Sequence, residues 1–200
     1  MGPCQQNSGF NLRPEVAFPT IELRQMENRG SNLAGNIKMK VSLLSEDDRA
    51  WVKERTELLF GGEFVVSRHE VHDPHKLPGF IVTLGPERLG VATYHITGGV
   101  CELVTIDSLS QFSGVGTMLL EKVEQTAIEL GCTKLWTIAP NDNLDAHRFF
   151  QRRGFFLTNV RIGGMTKIRL LKPSVPRVGY YGIPVRDEFE FEKTLEASAE

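Results

Sequence analysis

The chain has 200 residues, 23 basic and 25 acidic side chains, and a formal charge of −2. That length suits one domain with a substantial core, and the balanced charge, without a basic stripe carrying aromatics, excludes an obligatory nucleic-acid partner. No apolar run approaches the roughly 18 residues of a membrane helix, the N-terminus lacks a signal peptide's basic start and apolar centre, and three scattered cysteines fit a reducing, cytoplasmic setting.

Residues 1–36 are rich in Gly, Asn, Gln and Pro without sustained periodicity, and read as a flexible N-terminal extension to a single domain over 37–200. Ile37 to Leu44 alternates as a first strand. Ser45 with Asp48 gives a capping-box start to a helix that runs to Phe60 and stops at Gly61-Gly62. Phe64 to Val66 reads as a short strand or buried turn. His69, His72 and His75 follow at spacings of three, but Pro74 interrupts them and no cysteine or second carboxylate joins them, so a solvated loop is expected and no metal site. Phe80–Leu84 and Leu89–Ile96 form a hairpin around Gly85-Pro86, and Val100–Ser108 is the next strand.

Val115, Leu119, Val123, Ala127 and Leu130 recur at helical spacing, with Gly131 as the stop. Lys134–Ile138 is a buried strand, Asn143 caps a helix over Leu144–Arg153, and Phe155–Arg161 returns as a strand. The glycine- and proline-rich stretch 162–184 exceeds a hairpin's needs, so it is expected to be functional or locally folded. Val185–Leu195 closes the chain as an exposed final strand, an edge at which a homodimer would form.

The chemistry is written in Gln111-Phe112-Ser113-Gly114-Val115-Gly116-Thr117, a strand-to-helix turn. Helix N-terminal N–H groups lack internal partners and carry partial positive charge, and glycines admit an anion to the backbone. A dinucleotide-binding turn needs a third glycine where Leu119 stands, and a phosphate loop needs Gly-Lys-Ser/Thr, which is absent. The remaining Gln-x-x-Gly-x-Gly resembles the pyrophosphate loop of the GNAT superfamily of acyl-CoA N-acyltransferases. Asn143-x-x-Ala146, then Phe149-Phe150 and Gly154-Phe155, resembles that superfamily's second signature, in the right order and with a strand between. The likeness covers residues 79–160.

The resemblance implies an α/β (α+β) fold: a mixed, mostly antiparallel sheet flanked by helices on both faces. It implies an N-acetyltransferase that moves an acetyl group from acetyl-CoA to a primary amine, on a small molecule or a peptide, by direct attack. Residues 111–117 would hold the pyrophosphate, Ile106 and Ser108 the pantetheine arm, and Asn143 and Ala146 the flanking helix side. Phe150, counted with the cofactor-binding residues, stands where many members carry a tyrosine general acid, and phenylalanine donates no proton. Tyr180, Tyr181 or Ser108 are the substitutes. The missing acid also keeps open a non-catalytic CoA-binding module for sensing or assembly.

Glu102 and Asp107 are the catalytic carboxylates nearest the presumed reaction centre. Each has a bland counterpart, a solvated strand residue for Glu102 and a turn cap for Asp107. Asp187, Glu188 and Glu190 would face a cationic acceptor, or else form the wet face of an edge strand.

Overall fold

The alternation that marks the strands also sorts their side chains into two buried layers. The computed structural model describes residues 38–68, 70–110 and 113–196. The expected extension 1–36, the histidine at 69, and Gln111 and Phe112 of the turn lie outside them. The described residues fall in a compact unit, Ala34–Glu200.

A seven-stranded sheet forms the frame. Strand β1 (Lys40–Leu43) leads through a short 3₁₀ turn at Glu46–Asp48 into helix α1 (Arg49–Phe60). The Ser45–Asp48 capping box is formed, and Gly61 ends α1 in the left-handed region at φ 71°. Strands β2 (Val65–Ser67) and β3 (Glu70–His72) then pair as a separate small hairpin, which the sequence showed only as one ambiguous strand. Strands β4 (Gly79–Leu84), β5 (Glu87–Thr97) and β6 (Val100–Ser108) form an antiparallel meander. Helix α2 (Val115–Glu129), strand β7 (Lys134–Pro140), helix α3 (Leu144–Gln151) and strand β8 (Phe156–Arg161) follow. The long connection is locally folded: it contains helix α4 (Gly164–Leu171) and leads to β9 (Glu188–Thr194).

The sheet order is β1-β4-β5-β6-β7-β9-β8, with β6 and β7 the parallel pair. This is the expected fold class, a mixed and mostly antiparallel sheet between helices. One expectation needs correction: β9 is not an exposed edge. It inserts between β7 and β8, and β8 is the edge.

One face of the sheet packs on α2 and α3. Phe80, Val82, Ala92, Tyr94, Cys101 and Leu103 meet Val115, Leu119, Leu120, Val123, Phe150 and Phe191 there. Cys101 and Cys132 are buried, and burial pushes the Cys101 thiol up to about 12, so it is a small core residue and not a nucleophile. The alternate residues Ile81, Val91, Thr93 and Glu102 are also buried, facing away from that core. Among the described residues no helix is long and apolar enough to cross a membrane.

Candidate functional site

Two backbone features meet beside β6. The first is a parting of strands: β6 and β7 pair only over Val100–Glu102 and Lys134–Trp136, although β6 continues to Ser108 and β7 to Pro140. A bulge helps to open them. Thr93 faces Thr105 and Tyr94 faces Leu103, which leaves Val104 as an extra residue in β6, and such an insertion bends the strand that carries it. Beyond the bulge, β6 has an edge facing the gap that β7 does not fill.

The second feature is the start of α2. Gly114 precedes it at φ 87°, a conformation that a side chain resists, and a Cβ added there would meet nothing within 4 Å. Its N-cap is a glycine, and among the described residues no side-chain cap bond is made at this helix start. Helix-start N–H groups of this kind are where an anion would bind. At α3 the corresponding need is met internally, because Asn143 Oδ1 accepts from the Ala146 N–H at 3.1 Å. Asn143 thus has a structural duty, with Ala146 half-buried behind it.

Other residues of the turn serve its shape. Ser108 and Ser113 hydroxyls both donate to the Ser110 carbonyl, at 2.8 and 2.7 Å. Val115 is buried in the core, and Ile106 packs against it. Gly116 faces α3: an added Cβ would stand 3.1 Å from the Phe149 ring. Arg153 lies over that same ring and donates to the Thr117 hydroxyl, tying the two helices together.

Phe150 sits in the core. It is 3% exposed, with its ring packed on Phe149, Phe155 and Phe191. Core packing accounts for it. Phe150→Tyr is therefore expected to cost about 1–3 kcal/mol through a buried, unpartnered hydroxyl without raising kcat, as read from denaturant midpoints and initial rates. Of the substitute acids, the Tyr181 hydroxyl already donates to Asp145 Oδ2 at 2.9 Å, and this bond raises its pKa.

The two catalytic candidates have different surroundings. Asp107 Oδ2 accepts from Arg55 Nε at 2.8 Å and pairs with Nη2 at 2.7 Å, which ties α1 to the sheet. Burial holds Asp107 above the ordinary carboxylate value, against the pull of Arg55 and the Ser108 amide. Its carboxylate is paired, with Arg55 and the Ser108 amide as partners.

Glu102 is 5% exposed, so the solvated-strand reading fails. It lies on the sheet face away from α2, at the last paired position before the strands part. The Ser67 hydroxyl donates to its Oε1, and His72 Nε2 stands 3.2 Å from its Oε2. Burial holds the carboxyl above its ordinary value, while Ser67 and His72 act against that. His95 is its cross-strand partner, and Glu70 Oε2 lies 3.8 Å from His72 Nε2 and 4.0 Å from His95 Nδ1. The donor atoms of Glu70, His72, His95 and Glu102 all lie within 4.8 Å of one another.

Sequence reasoning missed this grouping. It expected a solvated loop around the histidines, whereas His72 is 6% exposed. The missing second carboxylate is Glu102, 30 residues downstream of His72. The one local signal was the period of two in Glu70-Val71-His72, which puts Glu70 and His72 on one side of a strand.

The final-strand acids also differ from expectation. Glu188 and Glu190 are 3% and 4% exposed. Arg161 pairs with both, at 3.5 and 3.3 Å, and Arg68 reaches Glu190 at 3.2 Å while lying over the Trp136 ring. Asp187 accepts from the Gly163 N–H and pairs with Arg186. These acids are neither a wet face nor unpartnered groups that require a cationic acceptor. The chain's own arginines neutralise them.

Comparisons with known proteins identify the fold that carries this parted sheet and glycine-led helix. The profile of the Acetyltransferase (GNAT) family matches residues 42–155. The chain belongs to the GNAT acetyltransferase family. It is 38% identical over 122 residues to the uncharacterized protein YdhI of Bacillus subtilis (strain 168), covering 60% of this chain and 76% of YdhI. It is 34% identical over 108 residues to the uncharacterized protein YxbD of that strain, covering 54% and 68%. Among solved structures, a Bacillus subtilis acetyltransferase in complex with CoA superposes with a TM-score of 0.60 at 17% identity, over 80% of this chain and 100% of that one. An Elizabethkingia anophelis family member with acetyl-CoA bound gives 0.58 at 15%, over 80% and 100%. At such identities the likeness is one of fold.

Proposed function

We propose that the chain is an acetyl-CoA-dependent N-acetyltransferase that acetylates a primary amine by direct attack, with Glu102 as general base. The observation that carries this reading is the position of Glu102: a buried carboxylate at the point where β6 leaves β7. The CoA and acetyl-CoA complexes of the neighbours with the same fold support the choice of cosubstrate.

Acetyl-CoA supplies an activated thioester. The residues of the chain supply placement and proton handling. The helix-start N–H groups at Val115, Gly116 and Thr117 suit the pyrophosphate, and the edge of β6 from Val104 toward Ser108, beyond its pairing with β7, suits the amide-bearing arm. An amine of pKa about 10.4 costs about 4.6 kcal/mol to neutralise at pH 7. A carboxylate beside the amine gives this proton a positioned acceptor as attack proceeds. The amine nitrogen then attacks the thioester carbon, the C–S bond breaks, the second nitrogen proton passes through water to the departing CoA thiolate, and Glu102 returns the first proton to solvent. A thiol of pKa about 8.5 is only about 2 kcal/mol short of leaving as thiolate at that pH, so a phenylalanine at 150 does not forbid turnover.

The test is a panel of small-molecule and peptide amines, with thiol release followed alongside CoA calorimetry. Turnover with any primary amine supports the reading. CoA affinity with no turnover would establish the binding module instead. In the same assay Gly116→Val is expected to weaken CoA binding at least tenfold, since a branched side chain must displace Phe149 and crowd the helix start. Unchanged affinity in a folded variant removes the loop from the site.

A further inference from the structure

We propose that Glu70, His72, His95 and Glu102 form a binding site for a zinc-type divalent cation, whose occupation withdraws Glu102 from acetyl transfer. The second half rests on the base role given to Glu102 above. The first half stands on the geometry alone.

The donors arrive as two pre-set pairs. Glu70 and His72 are two apart on β3, and His95 and Glu102 are direct cross-strand partners on β5 and β6. The small β2–β3 hairpin thus lays one pair over the other, and the imidazole rings stand 5.3 Å apart. His72 Nε2 is the telling atom. It is buried and, among the described residues, has no hydrogen-bond partner, though two carboxylate oxygens lie 3.2 and 3.8 Å away. A buried polar nitrogen without a bond is costly, and a cation between it and those oxygens removes the cost. Zinc bonds of about 2.0–2.2 Å to nitrogen and oxygen place tetrahedral donors roughly 3.3–3.5 Å apart. The His72–Glu102 edge at 3.2 Å is already at that spacing. The edges to Glu70, at 3.8 and 4.0 Å, need a small contraction. Glu70 is the most exposed of the four and can supply it, and with half-open His95 it gives the ion access from solvent.

Two imidazoles with two carboxylates favour zinc and its neighbours over magnesium and calcium, which prefer oxygen alone. A carboxylate that donates its lone pair to zinc accepts no proton from an ammonium. Zinc and acetyl transfer therefore compete for the same oxygens.

The experiment titrates EDTA-treated, gel-filtered protein with zinc chloride against a chromophoric chelator. One zinc per chain at micromolar affinity or tighter is expected, with no displacement by magnesium. His95→Asn and Glu70→Gln, both on the open side where folding is undisturbed, should each weaken zinc at least about tenfold. Absence of competition, or wild-type affinity in both variants, overturns the site. Zinc should also lower the amine acetylation rate, and the ratio of rates with and without zinc should return near unity in His95→Asn. An unaltered rate at saturating zinc overturns the coupling to Glu102. If no amine is acetylated under any condition, the activity reading fails while the chelator titration still decides the metal site.

Discussion

Glu102→Gln is expected to lower kcat for amine acetylation by about 10²–10⁴-fold, the usual worth of a positioned base, with CoA affinity unchanged. The substitution keeps the shape of the side chain and an oxygen that accepts from Ser67. It removes only the capacity to take a proton. The loss should therefore appear in kcat and not in CoA binding, because Glu102 lies on the sheet face away from α2, whose start carries the phosphate-binding backbone. Raising the assay pH should restore part of the rate, since more of the amine then arrives neutral. Two results would count against the base: an unchanged kcat, or an equal fall in kcat and CoA affinity in a folded variant. The first would hand the proton to water, and the second would make Glu102 a structural residue.

What the sequence disclosed was local. Helix α2 was readable because Val115, Leu119, Val123 and Ala127 recur within a few turns, and all four are fully buried. The glycine-led turn was readable for the same reason: the left-handed Gly114 and the helix it opens are adjacent. The residues around the two carboxylates were not. Ser67 stands 35 positions from Glu102, and Arg55 stands 52 positions from Asp107. No periodicity links such pairs, because the fold and not the chain makes them neighbours. The glutamates of β9 mislead for a related reason. Their alternation with Phe189 and Phe191 describes a strand with one polar face, and that much is correct. Arg68 and Arg161, from remote segments, then cover the polar face, which an alternation pattern cannot signal. Phe150, at the position that resembles the family's tyrosine, packs in the core against rings that the sequence does not place beside it.

Arg55→Ala is expected to destabilise the protein by about 3–5 kcal/mol, the cost of leaving one member of a buried pair alone. In a domain of this size that corresponds to a fall in Tm of about 6–20 °C. The side chains of Arg55 and Asp107 are only 11% and 10% exposed, and the guanidinium places both of its contacts on one oxygen, Oδ2. Without Arg55, the Asp107 carboxylate is left among buried groups and must either take up a proton or draw water into the sheet. The companion variant separates this from lost packing. Arg55→Met with Asp107→Asn removes both charges and keeps most of the volume, so it should recover much of the stability, as buried ion pairs replaced by neutral groups often do. Asp107 also has a place in the catalytic argument. If its duty is to fasten α1 to β6, the double variant should keep kcat within a few-fold once folded. A stable double variant with kcat reduced by orders of magnitude would return Asp107 to the chemistry.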